Sequence, residues 1–223
     1  MKRTISAVLA AALLVVSTSS AIADCTDPAS PDVNWRRCYL DGRDLRNVNL
    51  QGAMLRDATF LRAKLSGADL TGVDAYRAKF FSADLTGAKL DDARLIEADL
   101  TRAVLTDASL AGADLRGACF ERATLNEATL TNVVAGPMDL RGSQGWSTNF
   151  GKARLVRANM VGADLTEARL QDSDLMQADL RNAILRGAVM TDAVMTLADL
   201  RGADIRDADF RGARDLKLSG PIA

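Results

Sequence analysis

The chain has 223 residues, with 28 Lys or Arg against 29 Asp or Glu, so its formal charge is −1. This balance leaves no basic excess of the kind that nucleic-acid-binding domains use. Histidine is absent, which removes the commonest general base and the commonest metal ligand. Because aromatic residues make up only 4% of the chain and hydrophobic residues 48%, a core must be built from small and medium aliphatic side chains.

Residues 1–23 have the organisation of a secretory leader. Lys2 and Arg3 form the charged start, Ala7 to Val16 form an apolar run, and Ala21 to Ala23 form an A-x-A cleavage site. A membrane anchor is the alternative, but it needs about 20 apolar residues and this run has ten. We expect cleavage after Ala23, a mature charge of about −3, no stable membrane insertion, and a periplasmic or secreted protein.

Export changes how the three cysteines are interpreted, because disulfides persist in oxidising compartments. Lipidation of Cys25 is disfavoured, since the charged Asp24 precedes it. Cys25 and Cys38 lie 13 residues apart, in a segment without helical or strand period. A bridge between them would hold an N-terminal cap, residues 24–37, and closing this loop is worth about 3 kcal/mol in the chain-entropy model. Two free thiols are the alternative, and Cys119 is left over.

From Leu40 onward, a large apolar residue recurs at every fifth position. Positions 40 to 210 whose numbers end in 0 or 5 hold Leu, Ile, Met or Phe at 32 of 35 places, the exceptions being Ala75, Ala135 and Gly145. Two residues before these positions, Ala fills 26 of 35 places. The repeating unit is A-(D/N)-L-x-x.

A period of five excludes both common regular elements. In an α-helix, five residues advance about 140° beyond one turn, so successive leucines spiral around the axis. In a flat strand, an odd period sends them to opposite faces. A short extended segment followed by a turn fits, because Ala and Leu two residues apart then point the same way and the frequent corner glycines suit the turn.

Four such units, one on each side of a square, bring residue n over residue n+20. Phe60, Phe80 and Phe120 fall in one column of this arrangement. The repeat resembles the pentapeptide-repeat proteins over residues 38–213. The resemblance implies an all-β fold, a right-handed quadrilateral β-helix of about nine coils with leucines and alanines inside. The leader suggests an exported bacterial member, and residues 214–223 leave the period and should cover the last coil.

Residues 133–149 lose the consensus but keep its register, since Leu140 and Phe150 remain in phase. One interpretation is a distorted coil or small exposed loop around Pro137, Gly145 and Trp146 that contacts a partner. The other is a bulged coil that still stacks.

The outward positions show no catalytic or cofactor-binding motif. The sequence has no cysteine pair at metal-ligand spacing, no Gly-rich phosphate loop and no nucleophile beside a base. Asp99, Asp139, Asp179 and Asp199 share one outward column, but arginines run beside them, which is typical of a solvated face with weak ion pairs. We expect no enzymatic activity, no cofactor and no metal; calcium on this row is the least favoured alternative.

Some members of the pentapeptide-repeat family protect or inhibit DNA gyrase by resembling duplex DNA. Nearly nine coils at the strand spacing of about 4.8 Å give a rod of about 42 Å. The duplex carries one negative charge per about 1.7 Å, so a mimic of this length would carry about 25 charges. The mature chain carries about −3, and its leader directs it away from the chromosome. Topoisomerase inhibition is therefore a disfavoured alternative, and no nucleic-acid partner is expected.

One corner of the predicted rod is less polar than the rest. The 20-residue rule places Tyr76, Ile96, Val156 and Met176 in one outward column, which we interpret, together with Trp146, as a candidate protein-interaction surface. Packing between stacked coils is the alternative. The leading hypothesis is a rigid scaffold that binds an envelope or extracellular protein; an inert structural spacer of the cell envelope is the second. The arginines that border the column are Arg56, Arg77, Arg94, Arg116, Arg154 and Arg157.

Overall fold

The computed structural model describes residues 24–217, which form a four-sided spiral that completes one lap every twenty residues. Within that range the regular structure consists of single-residue parallel bridges between turns, without a helix or a longer strand. Every bridge pairs residue n with residue n+20, from Asn34–Met54 to Val194–Arg214. The predicted stacking is therefore confirmed. The predicted leader, 1–23, and the end of the predicted tail, 218–223, lie outside the described residues.

Each side of the spiral is held by two kinds of backbone hydrogen bond. Between laps, the amide of Leu65 donates to the carbonyl of Asp84 (2.7 Å), and the amide of Asp84 donates to the carbonyl of Ala63 (3.0 Å). Within a lap, Ala68 donates to Leu65 (3.0 Å) and closes the corner. The second corner residue has a positive φ, as at Gly67 (66°), which is why glycine and short polar residues are frequent there.

The consensus Asp or Asn occupies the bridge position and stabilises the corner that follows it. The carboxylate of Asp84 accepts hydrogen bonds from the amide of Thr86 (3.0 Å) and from its hydroxyl (2.7 Å). This local bond satisfies a corner amide that the ladder does not use. The repeat therefore needs a short acceptor between its inward Ala and Leu.

The interior is a column of apolar side chains. Positions ending in 0 or 5 are buried from Trp35 to Met195, whereas Leu200, Ile205 and Phe210 in the last lap are only partly buried. The rings of Phe60 and Phe80 stack in successive laps, with centroids 5.0 Å apart and 7° between their planes. The sequence placed these two phenylalanines in one column, and they are in direct contact.

The stacked region begins earlier than the predicted boundary at residue 38. Asn34 already makes the first bridge, because Val33 and Trp35 occupy inward positions and are buried. The irregular cap is therefore shorter than the predicted 24–37. The predicted disulfide between Cys25 and Cys38 is present, with an S–S distance of 2.03 Å. It fastens the cap to the first lap.

The stacked phenylalanines provide a test of the interior. We expect Phe80→Ala to lower the free energy of unfolding by about 3–5 kcal/mol, because it opens a cavity in a filled column. The matched control is Lys79→Ala at the neighbouring exposed position, which should change it by less than about 0.5 kcal/mol. Both changes in the free energy of unfolding can be measured by urea unfolding followed by circular dichroism. Equal effects of the two variants would contradict the assigned register.

Candidate interaction surface

Much of the acidic charge on the outer surface is paired with arginine by a local rule. In seven places within residues 24–217, an aspartate at the bridge position holds the arginine two residues later. At one of them, the Nε of Arg181 donates a hydrogen bond to the carboxylate of Asp179 at 2.8 Å. The pairs are Asp44–Arg46, Asp114–Arg116, Asp139–Arg141, Asp179–Arg181, Asp199–Arg201, Asp204–Arg206 and Asp209–Arg211.

The pairs leave the acid row of Asp99, Asp139, Asp179 and Asp199 as a mixed-charge face, because arginines hold the last three of its members. The arginine side chains of these pairs are solvent-exposed, so each ion pair adds little to the stability of the fold. Their main consequence is that fewer outward carboxylates are available to a ligand.

One of these pairs has a large effect on proton binding. The hydrogen bond from Arg206 lowers the pKa of Asp204 from 3.8 to about 2, and burial opposes the shift. Since the folded pKa lies below the unfolded value, the contribution to stability is present above the unfolded pKa of about 3.9. It is lost as the pH falls from there towards 2.

This shift can be measured directly. In the wild-type protein we expect the Asp204 carboxyl to titrate with a pKa of about 2, followed by carboxyl chemical shifts in NMR. Arg206→Gln should raise its pKa towards about 3.9, because it removes the hydrogen bond and the charge. The control Arg186→Gln should raise it less, since Arg186 acts on Asp204 only through its charge. An unchanged pKa in Arg206→Gln would rule out the pairing.

Residues 133–149 form a coil that stacks. Val134, Asp139, Gln144 and Asn149 all make bridges to both neighbouring laps, so the interpretation as an exposed loop is wrong. Gly145 stands at an inward position that normally holds a large apolar side chain. The side chains of Thr148 and Leu165 approach the space that this side chain would occupy, so the lap still stacks.

The same coil is distorted at one corner. The amide of Gly117 donates to the carbonyl of Pro137 (2.8 Å), twenty residues further along the chain. At a regular corner, the amide of Gly67 donates to the carbonyl of Thr86, only nineteen residues further. The Gly136–Pro137 peptide bond is cis. A Cβ atom on Gly136 would lie 2.3 Å from the carbonyl oxygen of Val156, so only glycine fits there.

The tight approach at Gly136 yields a stability prediction. Gly136→Ala should lower the free energy of unfolding by about 1–3 kcal/mol, because backbone must move to admit the methyl group. Gly151 occupies the equivalent corner position, and the nearest atom to a Cβ there is the side-chain oxygen of Asn149, at 3.2 Å. Gly151→Ala should therefore be the milder variant in urea unfolding. The reverse order would contradict the geometry of the distorted corner.

The four residues of the predicted apolar column lie on one corner, in two separate halves. Tyr76 and Ile96 occupy consecutive laps, and so do Val156 and Met176. Tyr76 belongs to a polar network, since its hydroxyl lies 3.4 Å from Glu97 and the guanidinium of Arg94 lies 5.2 Å from its ring centroid. The Tyr76 half is therefore partly committed to contacts within the corner.

The second half of the column is more open. Met176 is 38% exposed, and Leu197, in the next lap on the same corner, is 64% exposed. Trp146 is 43% exposed, but it lies half a lap away, on the diagonally opposite corner, and does not join this surface. The sequence interpretation missed Tyr39, the most exposed large hydrophobic residue of the described range at 78%, although its outward bridge position follows from the register.

A groove lies between the two halves of the column, at the distorted corner. It encloses about 390 Å³. Its walls combine aliphatic groups with three guanidinium groups. The lining residues are Arg116, Val134, Gly136, Pro137, Arg154, Val156 and Arg157.

The five-residue units and the 20-residue ladder define the class of protein, a four-sided β-solenoid. The chain belongs to the pentapeptide-repeat family, whose proteins are right-handed β-helices. The family description, pentapeptide repeats, matches in eight copies, over residues 34–72, 60–95, 78–117, 93–132, 147–182 and 173–212. The matched ranges leave a gap between residues 132 and 147, and this gap coincides with the distorted coil.

Solved structures with similarity to this chain include three members of the family. HetL, a protein involved in heterocyst differentiation regulation from the cyanobacterium Nostoc sp. strain PCC 7120, is 31% identical over 82% of this chain and 89% of its own, with a TM-score of 0.31. Full-length QnrB1, a plasmid-mediated fluoroquinolone resistance protein, is 19% identical over 79% and 90%, with a TM-score of 0.42. A protein of the Arabidopsis thaliana thylakoid lumen is 29% identical over 61% and 71%, with a TM-score of 0.19.

These TM-scores are low, so the family assignment rests on the repeat match. Among curated proteins, no sequence matches the chain significantly. Across residues 24–217, no helix is long and apolar enough to cross a membrane.

Proposed function

We propose that this chain is an exported, non-enzymatic scaffold, a right-handed solenoid of about nine coils that binds another protein through its apolar corner. The observation that carries the proposal is the open half of the predicted column, where Met176 and Leu197 are exposed in successive laps. Adjacent exposed apolar side chains on a small rod are typical of a contact surface. Proteins of this family are generally non-enzymatic structural or interaction proteins.

The architecture supports a role in binding. Leucine and alanine fill the inward positions, so specificity depends on outward side chains alone. Those side chains are mounted on a hydrogen-bonded ladder, which holds them in one arrangement before a partner arrives. Such preorganisation reduces the ordering cost of association.

Export is supported by two features of the N-terminal region. Residues 1–23 have the pattern of a cleavable leader, and the disulfide between Cys25 and Cys38 suits an oxidising compartment. The partner would then be an envelope or extracellular protein. The second candidate function is an inert envelope spacer, which the same rigid ladder would serve without any partner.

The two functions differ in what the apolar corner does. We expect chemical crosslinking in intact cells, with mass spectrometry, to capture a defined partner whose yield falls at least about fivefold in the double variant Met176→Gln/Leu197→Gln, because burial of apolar surface is lost. Glutamine makes each position polar and adds no charge. The matched control is Val104→Gln/Ile184→Gln, which changes two hydrophobic residues of 37% exposure on another face.

The same cells test export. The mass of the protein in the periplasmic or secreted fraction should correspond to a chain that begins at Asp24. Equal partner yields in both double variants would favour the inert spacer, and an uncleaved cytoplasmic chain would overturn export.

A further inference from the structure

The groove at the distorted corner is lined by two arginines whose charge is unpaired. Within the described residues, no carboxylate oxygen lies within 4 Å of the guanidinium of Arg154 or Arg157, and neither guanidinium donates a hydrogen bond, whereas Arg116 is held by Asp114. A single arginine at the bridge position does not produce this state by itself. Arg94 occupies the equivalent position and pairs with Asp74 at 3.1 Å.

The unpaired charge has a cause in the repeat. The bridge position that normally holds Asp or Asn holds Val134 in one lap and Arg154 in the next. The nearest carboxylates in this column are therefore those of Asp114 and Asp174. Asp114 is engaged by Arg116. Asp174 is the bridge neighbour of Arg154, but it accepts a hydrogen bond from the amide of Met176 (3.1 Å) and makes no ion pair with Arg154.

The same two replacements leave backbone donors without their usual acceptor. In a consensus unit, the Asp or Asn accepts a hydrogen bond from the amide two residues later, as Asp164 does from Thr166 (3.1 Å). Within residues 24–217, the amides of Gly136 and Val156 have no such acceptor. The groove is therefore lined by two arginines without an ion pair and by two residues, Gly136 and Val156, whose amides lack this acceptor.

The surrounding corner reinforces this preference for an anion. Its two turn positions, in register from residues 36 and 37 to residues 216 and 217, carry seven basic side chains against two acidic ones. An anionic ligand would be attracted to this corner before contact. The basic residues are Arg36, Arg37, Arg56, Arg77, Arg116, Arg157 and Lys217, and the acidic ones are Asp57 and Glu97.

We propose that the groove binds an extended acidic peptide segment, whose carboxylate takes the place of the aspartate missing from the repeat. This carboxylate accepts hydrogen bonds from Arg154, Arg157 and the amides of the corner, and a neighbouring aliphatic side chain packs on Val134, Pro137 and Val156. The volume of about 390 Å³ is near the lower end for ligand pockets, which suits a few residues. The proposal rests on the proposed function in that the segment belongs to the bound partner protein.

The aliphatic part of the lining favours a peptide over a free inorganic anion. A phosphate ion would use only the donors and would leave Val134, Pro137 and Val156 in water. An acidic residue beside a valine or leucine uses both parts of the groove. Selectivity for such a segment is therefore the property to measure.

The test uses the mature full chain and a blocked hexapeptide, acetyl-Gly-Asp-Val-Glu-Val-Gly-amide. Titration followed by NMR should give saturable shifts of the backbone amides of residues 134–136 and 154–157. The peptide with Asn and Gln in place of Asp and Glu should bind at least about tenfold more weakly, because charge-assisted hydrogen bonds are lost. Inorganic phosphate at equal ionic strength should also bind at least about tenfold more weakly, because it leaves the aliphatic part of the groove uncovered.

The variants Arg154→Gln and Arg157→Gln should each weaken binding of the acidic peptide about tenfold. The matched control is Arg169→Gln, which should leave the affinity unchanged. Arg169 has the same neighbours in sequence as Arg154, since both stand between Ala and Leu, but it lies on another face. An unchanged NMR spectrum outside the groove shows that each variant is folded. Equal losses in all three variants, or phosphate binding as tight as peptide binding, would overturn the proposal.

Failure here can be separated from failure of the proposed function. If the acidic peptide does not bind while the Met176→Gln/Leu197→Gln variant still loses its crosslinked partner, only the groove inference falls. If the peptide binds the groove but the apolar-corner variant keeps its partner, the assignment of the apolar corner falls instead.

Discussion

The structure depends on one constraint, the backbone ladder that joins each lap to the next through bridges between residues n and n+20. Each side consists of five residues, and amides and carbonyls on every side bond to the laps above and below. Inward and outward positions then repeat without drift, and leucine stacks on leucine along the axis. Since each lap contacts only its neighbours, stability is approximately a sum of local terms, and a departure in one lap need not propagate.

The bridge aspartate links this scaffold to the chemistry of the surface. Its carboxylate accepts a corner amide, as at Asp84, and in seven units it also holds an arginine. Both bonds consume groups that a ligand would otherwise contact, so a run of consensus units is a self-satisfied surface. Groups that a ligand could contact therefore concentrate where the consensus fails, and the laps containing Val134 and Arg154 are such a place.

Much of the fold could be predicted from the sequence because a period of five has few geometric solutions. The period predicted which side chains are inside, the shared column of Phe60 and Phe80, and the shared corner of Tyr76 and Met176. The distorted corner could not be predicted, because the path of Gly136 depends on how the backbone meets the next lap. The unusual composition around Trp146 suggested that it belongs to the interaction surface. The register shows instead that it lies on the corner opposite to the apolar column.

The open apolar residues and the basic groove share one corner, and this proximity has a physical consequence. Val156 lines the groove and also belongs to the apolar column, so a single extended segment crossing from the groove towards Met176 would contact guanidinium groups first and aliphatic groups next. Charge would act at longer range and accelerate the encounter, whereas burial of aliphatic groups would slow dissociation. Because the ladder fixes the spacing between the two parts, a partner that used both would have to match the distance as well as the chemistry, and this requirement would make the proposed binding selective.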